Sequence, residues 1–387
     1  MKILLVHTNY QNIGGEDIAV KNEANFLKQE HNVEELYFSN HISKNPIAIL
    51  KQLVYFLSNK NKDSLNLIEK KIKTFKPDLV YIHNTWFKIS LGIFDLAKKH
   101  NLKTFVKIHN FRHYCTQSYL SKKHLRGEQV CNACGFEKKN FQFLNKYFEA
   151  SYLKSFFVIL YGKAYSKILK EKDIKILTLS NFQKEFLMKE NIDKKKIAIF
   201  PNYTNVDIQD DESQELDIEA NGIVYAGRIS KEKGLVELIE AYNSANLNKI
   251  PLHIIGEGPL LKFLKKNYVS KDIIFHGELD HKKVLSIISK SIAVITVTKL
   301  YEGQPTLLCE ASGLGIPSVF PDTGGIFEFF PNDYPLSFKQ FDHLDLVSKI
   351  KMLADPNLVN ELSTQVKDNI DLKFSDSTLL NKFSNIF

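Results

Sequence analysis

Two glutamates, Glu302 and Glu310, flank seven residues at a predicted strand-to-helix corner. The apolar run 293–298 predicts the strand, and Pro305 falls where a helix is expected to begin, because proline at the first helical position gives up no needed hydrogen bond. Glu310, just over one turn inside that helix, can accept two hydrogen bonds from a diol such as that of ribose, while Glu302 projects from the loop toward the reacting group. The turn between them can direct backbone amides toward an anion, and its residues are Gly303, Gln304, Pro305 and Thr306.

Each glutamate taken alone has a simpler interpretation, with Glu302 as a solvated loop residue and Glu310 as an ordinary residue of a helix surface. The surrounding sequence favours a binding site. The helix is followed by a short strand at 316–320 and a second glycine turn at 323–328. Backbone amides of that turn would point to the same edge of the sheet, which predicts a site for a nucleotide phosphate.

A second loop carries two cations, Arg228 and Lys233, five residues apart after a predicted strand at 223–226. Arginine offers a fork of donors and lysine a point charge, so the two suit a diphosphate. Each could instead be a surface ion-pair partner. The position of the loop beside the glutamate corner favours the diphosphate.

The alternation of short apolar runs with helical patterns predicts an α/β fold. A chain of 387 residues is too long for one ordinary core, so we expect two Rossmann-like doubly wound domains that face each other across a cleft. The turn-rich segment 200–221 is typical of a linker. The predicted domains are 1–203 and 204–375, and the tail 376–387 is expected to form a helix that packs back on the first domain.

Strands are predicted at 2–7, 33–38, 79–83, 104–108, 175–179 and 197–200 in the first domain, and at 223–226, 252–255, 273–276, 293–298 and 317–320 in the second. Helices are expected at 18–29 and 182–190, the latter capped by Ser180 or Asn181.

Composition is that of a soluble globular protein, with 44% hydrophobic and 25% charged residues. The apolar run 2–6 is too short for a signal peptide, and no stretch reaches the roughly 18 apolar residues that span a bilayer, so a cytoplasmic location is predicted. The net charge of +8 comes with no nucleic-acid-binding motif, which sets nucleic acid aside as a partner. The segment 141–170 interleaves aromatic residues with lysines. The segment suits either a core helix with exposed lysines or an amphipathic helix that lies on the inner face of an anionic membrane.

Three of the four cysteines are clustered, and they are Cys115, Cys131 and Cys134. A Cys-x2-Cys pair with a third cysteine upstream is a zinc candidate, but a complete set of four ligands is not present in the sequence. Reduced structural thiols are the expected alternative in a reducing compartment.

The second half resembles glycosyltransferase family 4, whose members are retaining enzymes of the GT-B fold. Three motifs of the family occur in order, namely 227–234 (GRISKEKG), 256–259 (GEGP) and the pair Glu302 and Glu310. The sequence departs from the family where Gly303 and Gln304 stand in place of a common Phe-Gly. The resemblance implies nucleoside contacts at Glu310, Gly256, Gly258, Gly277 and Leu279.

The first half resembles the same family more loosely. The segment 12–16 is similar to a glycine loop that lies against the donor diphosphate, which assigns Gly14 and Gly15 to that contact. The resemblance makes His109 a catalytic residue that touches the donor sugar. It places His83, Asn84 and Glu16 on the acceptor side.

The resemblance implies a retaining transfer of a hexose-type sugar from a UDP- or GDP-linked donor, without a metal or other cofactor. Arg228, Lys233 and helix-end amides would take the place of the metal against the leaving diphosphate. The expected acceptor is a saccharide or lipid-linked saccharide of a surface polysaccharide, such as lipopolysaccharide or capsule. Two alternatives stay open: a non-hydrolysing sugar-nucleotide epimerase, and a catalytically silent sugar-nucleotide-binding subunit.

Overall fold

The computed structural model describes residues 1–10, 14–41, 45–86, 88–111, 131–133, 152–204, 221–247, 249–268 and 270–387. The chain divides into two compact units. Unit 1 comprises Met1–Tyr203 with Leu379–Phe387, and unit 2 comprises Thr204–Thr378. Of the helices described, none is both long and apolar enough to cross a bilayer.

Unit 1 contains a six-stranded sheet with the strand order β2-β1-β3-β4-β5-β6. Its strands are β1 (Lys2–Asn9), β2 (Asn32–Ser39), β3 (Leu79–Ile82), β4 (Lys103–Ile108), β5 (Lys175–Thr178) and β6 (Ile197–Ile199). The helices are α1 (Gly15–Leu27), α2 (Pro46–Leu57), α3 (Lys62–Phe75), α4 (Gly92–Lys99), α5 (Tyr152–Glu171) and α6 (Asn181–Lys189), the last capped by the Ser180 side chain.

Unit 2 contains a second six-stranded sheet with the order β12-β11-β10-β7-β8-β9. Its strands are β7 (Ile223–Ala226), β8 (Leu252–Ile255), β9 (Ile273–Gly277), β10 (Ala293–Ile295), β11 (Ser318–Pro321) and β12 (Ser337–Phe338). The helices are α7 (Leu235–Ala245), α8 (Leu261–Asn267), α9 (His281–Ser289), α10 (Thr306–Gly313), α11 (His343–Met352) and α12 (Pro356–Phe374). The predicted strands are all present, with ends that differ by at most three residues, and β12 was not predicted.

The glutamate corner departs from the prediction at two points. Strand β10 ends at Ile295, three residues early, because the chain beyond it bonds to a loop: the Lys299 amide donates to the Glu232 carbonyl at 2.9 Å. Helix α10 begins at Thr306 with Pro305 as its N-cap, so Pro305 lies one residue outside the helix. Proline has no N–H, so Pro305 shapes the turn but donates nothing to an anion.

A buried charge cluster ties α1 to β4 inside unit 1. The Lys107 ammonium donates to the Glu23 carboxylate, and the Tyr81 hydroxyl donates to the same carboxylate. Lys107 also donates to the Pro201 carbonyl at 3.1 Å, and both members of the ion pair are fully buried. Because an unpaired charge in this position costs several kcal/mol, the cluster fixes α1 against the strand that leads to His109.

The last helix, α13 (Asp376–Ile386), packs on unit 1 through Phe383. The Phe383 ring is fully buried and contacts three aromatic rings of the sheet core, at Tyr81, Phe105 and Phe200. The following Phe387 is half-exposed and lies under the Lys103 ammonium.

We expect Phe383→Ala to destabilise unit 1 by about 3–5 kcal/mol, because it empties a buried aromatic site. Phe387→Ala is the matched control and should cost less than about 1 kcal/mol, since its ring is partly exposed. Trp86 is the only tryptophan of the chain and lies in unit 1, so urea unfolding followed by its fluorescence measures this unit. Equal losses in the two variants would contradict the anchoring role of Phe383.

Candidate active site

In unit 2 the predicted site residues lie in loops that leave the carboxyl ends of parallel strands. The Lys233 ammonium, in the loop after β7, donates to Glu302 Oε1 at 2.8 Å, and the Thr298 hydroxyl donates to the same oxygen at 3.3 Å. From the sequence, Lys233 is expected on the diphosphate and Glu302 on the sugar. In the structure these two side chains are paired with each other.

The backbone of Glu302 is held by the second glycine turn. The Gly325 amide donates to the Glu302 carbonyl at 2.8 Å. Gly324 has φ +63°, and a Cβ there would lie 2.6 Å from both the amide nitrogen and the carbonyl oxygen of Glu302. Only glycine fits so close an approach, so this turn fixes Glu302 from one side while Lys233 fixes it from the other.

The pKa of Lys233 is set by opposing effects. Burial alone would lower it, but the negative charges of Glu302 and Glu232, with the hydrogen bond to Glu302, outweigh burial and raise it. Lys233 therefore stays cationic at neutral pH. The Lys233 ammonium, held in this way, can meet an anionic ligand and stay protonated.

Glu310 lies on α10 as predicted, and its partner is His281 at the start of α9. The His281 Nε2 lies 3.1 Å from Glu310 Oε1 and 3.2 Å from Oε2. The hydrogen bond to Glu310, together with its negative charge and that of Asp280, raises the pKa of His281 despite partial burial. The Glu310 side chain is 3% exposed, so any hydroxyl that reaches this carboxylate must share it with His281.

The glycines of the 256–259 motif serve loop packing. Gly256 has φ +130°, and a Cβ there would lie 2.1 Å from the Gly227 carbonyl oxygen. The loops after β7 and β8 are joined by the Ile229 amide, which donates to the Glu257 carbonyl at 2.8 Å, and the Gly256 amide donates to the Gly277 carbonyl at 2.7 Å. The nucleoside contacts assigned to Gly256, Gly258, Gly277 and Leu279 stay predictions.

Arg228 is exposed in the same loop, and within the described part of the chain no carboxylate forms an ion pair with it. Gln304 is buried, and its side-chain amide points to Cys309 Sγ at 3.8 Å. Thr306 is the first residue of α10 and lies half-buried. Of the predicted diphosphate contacts in unit 2, Arg228 therefore offers the most accessible cation.

In unit 1, His109 and His83 follow the neighbouring strands β4 and β3 and are hydrogen-bonded to each other. His83 Nδ1 lies 2.9 Å from His109 Nε2, and the rings stack with centroids 5.2 Å apart. Burial lowers the pKa of both rings well below the ordinary value, helped by the charges of Lys107 and His7, so both are neutral at pH 7. The outer nitrogens, His83 Nε2 and His109 Nδ1, are buried and have no hydrogen-bond partner among the described residues.

The start of α1 forms a second polar group in unit 1. Glu16 accepts from the Tyr10 hydroxyl at 2.9 Å and from the Asn110 amide at 3.3 Å, and burial raises its pKa. Asp17 binds His7 Nε2 at 2.8 Å and the Gly14 amide at 2.9 Å. Burial alone would raise the pKa of Asp17. These hydrogen bonds outweigh burial, so the pKa of Asp17 is lowered.

Gly14 caps α1 and Gly15 begins it, and a Cβ on Gly15 would meet no atom of the described residues within 4 Å. The diphosphate contact of these two glycines stays a prediction. The other two residues of the loop, 12 and 13, lie outside the described residues.

Asn84 is engaged within unit 1. Its side-chain amide donates to the Thr8 carbonyl at 2.9 Å, and its side-chain oxygen accepts from the Trp86 amide at 2.8 Å. Asn84 is also buried. These contacts hold the turn after β3, and they do not favour the acceptor contact that the sequence suggested for Asn84.

The zinc candidate lies largely outside the described residues, because Cys115 and Cys134 do. Cys131 is buried. In the described ranges no group of three or more histidine, cysteine or acidic side chains is placed to hold a metal ion.

Sequence reasoning missed His281, His7 and Asp17. His281 follows Asp280, which caps α9 with its side chain. The helix-start pattern was visible in the sequence, but the pairing with Glu310 joins residues 29 positions apart and needs the fold. Asp17 was visible as the neighbour of Glu16.

The His281–Glu310 pair should make the stability of unit 2 depend on pH. The pKa of His281 is raised in the folded protein, so the contribution is complete below about pH 6.5 and is lost as pH rises through the folded-state pKa. Glu310→Gln should lower stability by on the order of 0.5–1 kcal/mol at pH 6 and by less at pH 9, measured by scanning calorimetry. Glu278→Gln, at an exposed position, should show no such pH dependence. A loss at Glu310→Gln that is constant from pH 6 to 9 would disprove the pairing.

Part of the chain is similar in sequence to known proteins. Residues 207–369 match the family of glycosyl transferases group 1. An alignment 236 positions long, which covers 55% of this chain, is 24% identical to UDP-Gal:alpha-D-GlcNAc-diphosphoundecaprenol alpha-1,3-galactosyltransferase of Escherichia coli and covers 59% of that protein. The chain spans less than two thirds of the length of this and the other curated relatives it matches.

Solved structures match over the whole chain. Sucrose-phosphate synthase of Thermosynechococcus elongatus superimposes with a TM-score of 0.71 at 15% identity, covering 100% of this chain and 98% of that one. HepE of Anabaena, solved with UDP and glucose, gives a TM-score of 0.68 at 13% identity, with coverage of 100% and 98%. The predicted α/β fold with two Rossmann-like sheets is confirmed. Residues 207–369 therefore match the family of glycosyl transferases group 1, in a chain whose fold is of the GT-B type.

Proposed function

We propose that the protein is a retaining, metal-independent glycosyltransferase that moves a hexose-type sugar from a nucleoside diphosphate sugar to a saccharide or lipid-linked saccharide. The observation that carries the proposal is the pair of acids in the group 1 domain, each held by a basic side chain. Glu302 is bound by Lys233 at 2.8 Å, and Glu310 is bound by His281 at 3.1 Å. Such acids are held in place before a substrate arrives, as transition-state stabilisation requires.

Donor binding is proposed to begin at Arg228. Its exposed guanidinium can take the diphosphate as a fork, and the amides at the start of α10, at Gly303, Gln304 and Thr306, add helix-end donors. Lys233 meets the diphosphate while still touching Glu302. Glu310 holds the ribose diol and shares its carboxylate with His281. Donors linked to UDP or GDP both fit these contacts.

The proposed transfer step depends on stabilising the negative charge that develops on the leaving diphosphate. The acceptor hydroxyl attacks the anomeric carbon from the face that the diphosphate leaves, the sugar–phosphate bond breaks, and the hydroxyl proton passes to the leaving phosphate oxygen. Arg228 and Lys233 neutralise the charge that grows on the diphosphate, in the place where a metal ion would otherwise act. Glu302 orients the sugar through its hydroxyls.

Residues of unit 1 are proposed to complete the machinery. His109 is neutral, so it can touch the donor sugar as a hydrogen-bonding group without adding charge. His83 is proposed to act indirectly, because its hydrogen bond to His109 orients the His109 ring. The backbone at Gly14 and Gly15 is proposed for the diphosphate, and Glu16 for the acceptor side.

The acceptor is proposed to be a lipid-linked saccharide of a surface polysaccharide, such as lipopolysaccharide or capsule. The E. coli relative is named for an acceptor carried on diphosphoundecaprenol. Cytoplasmic placement with contact to an anionic membrane belongs to the proposal, supported by the net charge of +8. An epimerase would turn over donor with no acceptor, and a silent subunit would not need the Lys233–Glu302 pair.

The diphosphate assignment can be tested at Arg228. Arg228→Ala should weaken UDP binding by about tenfold or more and leave uridine binding unchanged, because the guanidinium faces only the phosphates. Lys231→Ala is the matched control, an exposed cation of the same loop. Calorimetry with UDP, GDP and uridine is the measurement. An equal loss for UDP and uridine would remove Arg228 from the diphosphate.

The role of Glu302 in turnover can be tested separately from nucleotide binding. Glu302→Gln should lower kcat by on the order of 100-fold, because the sugar loses its orienting carboxylate. UDP should bind as tightly as before or tighter, since Lys233 is released toward the diphosphate. Glu232→Gln, beside the same lysine, is the control for charge alone. Unchanged kcat with weakened UDP binding would reverse the assignment.

A further inference from the structure

Helix α2 exposes most of its apolar surface. Five large aliphatic residues of this twelve-residue helix are between 50% and 77% exposed, and they are Ile47, Ile49, Leu50, Val54 and Leu57. The two buried residues are Phe56 and the polar Gln52. This inverts the usual arrangement, in which aliphatic side chains face the core and polar ones face water. A contiguous apolar surface of this kind marks a binding face.

The helix is formed before it binds anything. The Asn45 side chain caps it by accepting from the Ile47 amide at 2.9 Å, and Pro46 occupies the first turn. Its inner side is anchored by the Phe56 ring, which contacts Trp86 at 5.5 Å and Phe157 of α5 at 5.6 Å between centroids. Because the helix is already ordered, docking it costs little conformational entropy.

The charges around α2 are basic. The segment 45–62 contains three exposed lysines, Lys51, Lys60 and Lys62, and no acid. The first acid that follows, Asp63, is paired with Lys51 at 2.8 Å. The face therefore presents aliphatic side chains flanked by positive charge, which complements a surface with an apolar interior and negative headgroups.

Helix α5 adds a shorter stripe of the same kind. Tyr152, Phe156 and Leu160, spaced four residues apart, are exposed, while the opposite side of α5 is buried. For the segment 141–170 the sequence left two interpretations open, a core helix with exposed lysines and an amphipathic helix on a membrane. The described part of that segment, which starts at residue 152, is a core helix with this stripe, and the larger apolar face lies on α2.

We propose that the face of α2 formed by Ile47, Ile49, Leu50, Val54 and Leu57, which we call the α2 face, docks on the surface of an anionic lipid bilayer. Charge decides between a bilayer and an apolar protein surface, because the exposed lysines beside this face complement negative headgroups. A bilayer needs only aliphatic surface and positive charge. The proposal concerns lipid binding and is independent of the proposed transferase activity.

The first test measures co-sedimentation of the full chain with vesicles of phosphatidylcholine that contain about a third phosphatidylglycerol. The combined variant Ile47→Gln, Leu50→Gln, Val54→Gln should bind on the order of 100-fold more weakly, because three aliphatic side chains no longer enter the lipid. The matched control is Leu344→Gln with Leu372→Gln, two helix residues of unit 2 that are 79% and 78% exposed. It should bind like the wild type.

The charge component has its own variant. Lys60→Gln with Lys62→Gln should weaken binding to anionic vesicles by about tenfold and leave the weak binding to pure phosphatidylcholine unchanged. Trp86 reports docking separately, because it is the only tryptophan and touches Phe56 beneath α2. Its fluorescence should change on adding anionic vesicles to the wild type and not to the α2 variant.

Three results would overturn the proposal. In the first, the wild type does not bind anionic vesicles. In the second, the α2 variant binds as well as the control while its circular dichroism shows it folded. In the third, sedimentation velocity finds a wild-type oligomer that the α2 variant dissolves, with no lipid binding by either, which would make the α2 face a contact between two copies of the chain.

Discussion

The strands of both sheets pair in parallel, and this constraint decides where chemistry can occur. A parallel sheet covered on both faces leaves little room for charge along its strands, so charged side chains collect in the loops at the strand ends. Within each sheet, the carboxyl ends of the strands lie at the same edge. That is how Lys233, 69 residues from Glu302 in the chain, comes to bind it. The loop glycines allow those loops to lie close together.

Charges that are buried near the strand ends are paired, and the pairing prepares the protein for a ligand. Asp17 has His7, Glu302 has Lys233, and Glu310 has His281. A polar group removed from water without a partner is costly, so each partner holds its acid in a fixed orientation. A ligand that adds a phosphate or a hydroxyl then replaces or joins an existing contact. The cost of ordering the side chain has already been met by folding.

The sequence was sufficient for the strands and for the corner that carries Glu302 and Glu310, because these depend on local patterns of apolar runs, glycine and proline. It was insufficient for the Lys233–Glu302 and His281–Glu310 pairs, which depend on how distant loops meet. It also missed the α2 face. The apolar run 46–57 has the composition of a buried helix, and only the packing of Phe56 and Gln52 inward shows that its aliphatic side chains face outward.

Docking of the α2 face on a bilayer would favour transfer to the proposed acceptor by raising the local concentration of that acceptor. An enzyme that takes a lipid-linked substrate must meet it at a bilayer, and docking there raises the local concentration of that substrate without any new contact at the active site. Weak docking is enough for this purpose. Five partly exposed aliphatic side chains and a few lysines would give an interfacial helix that binds and leaves, unlike a spanning helix, which would stay in the membrane. Such reversibility would let the protein reload its donor from solution between transfers.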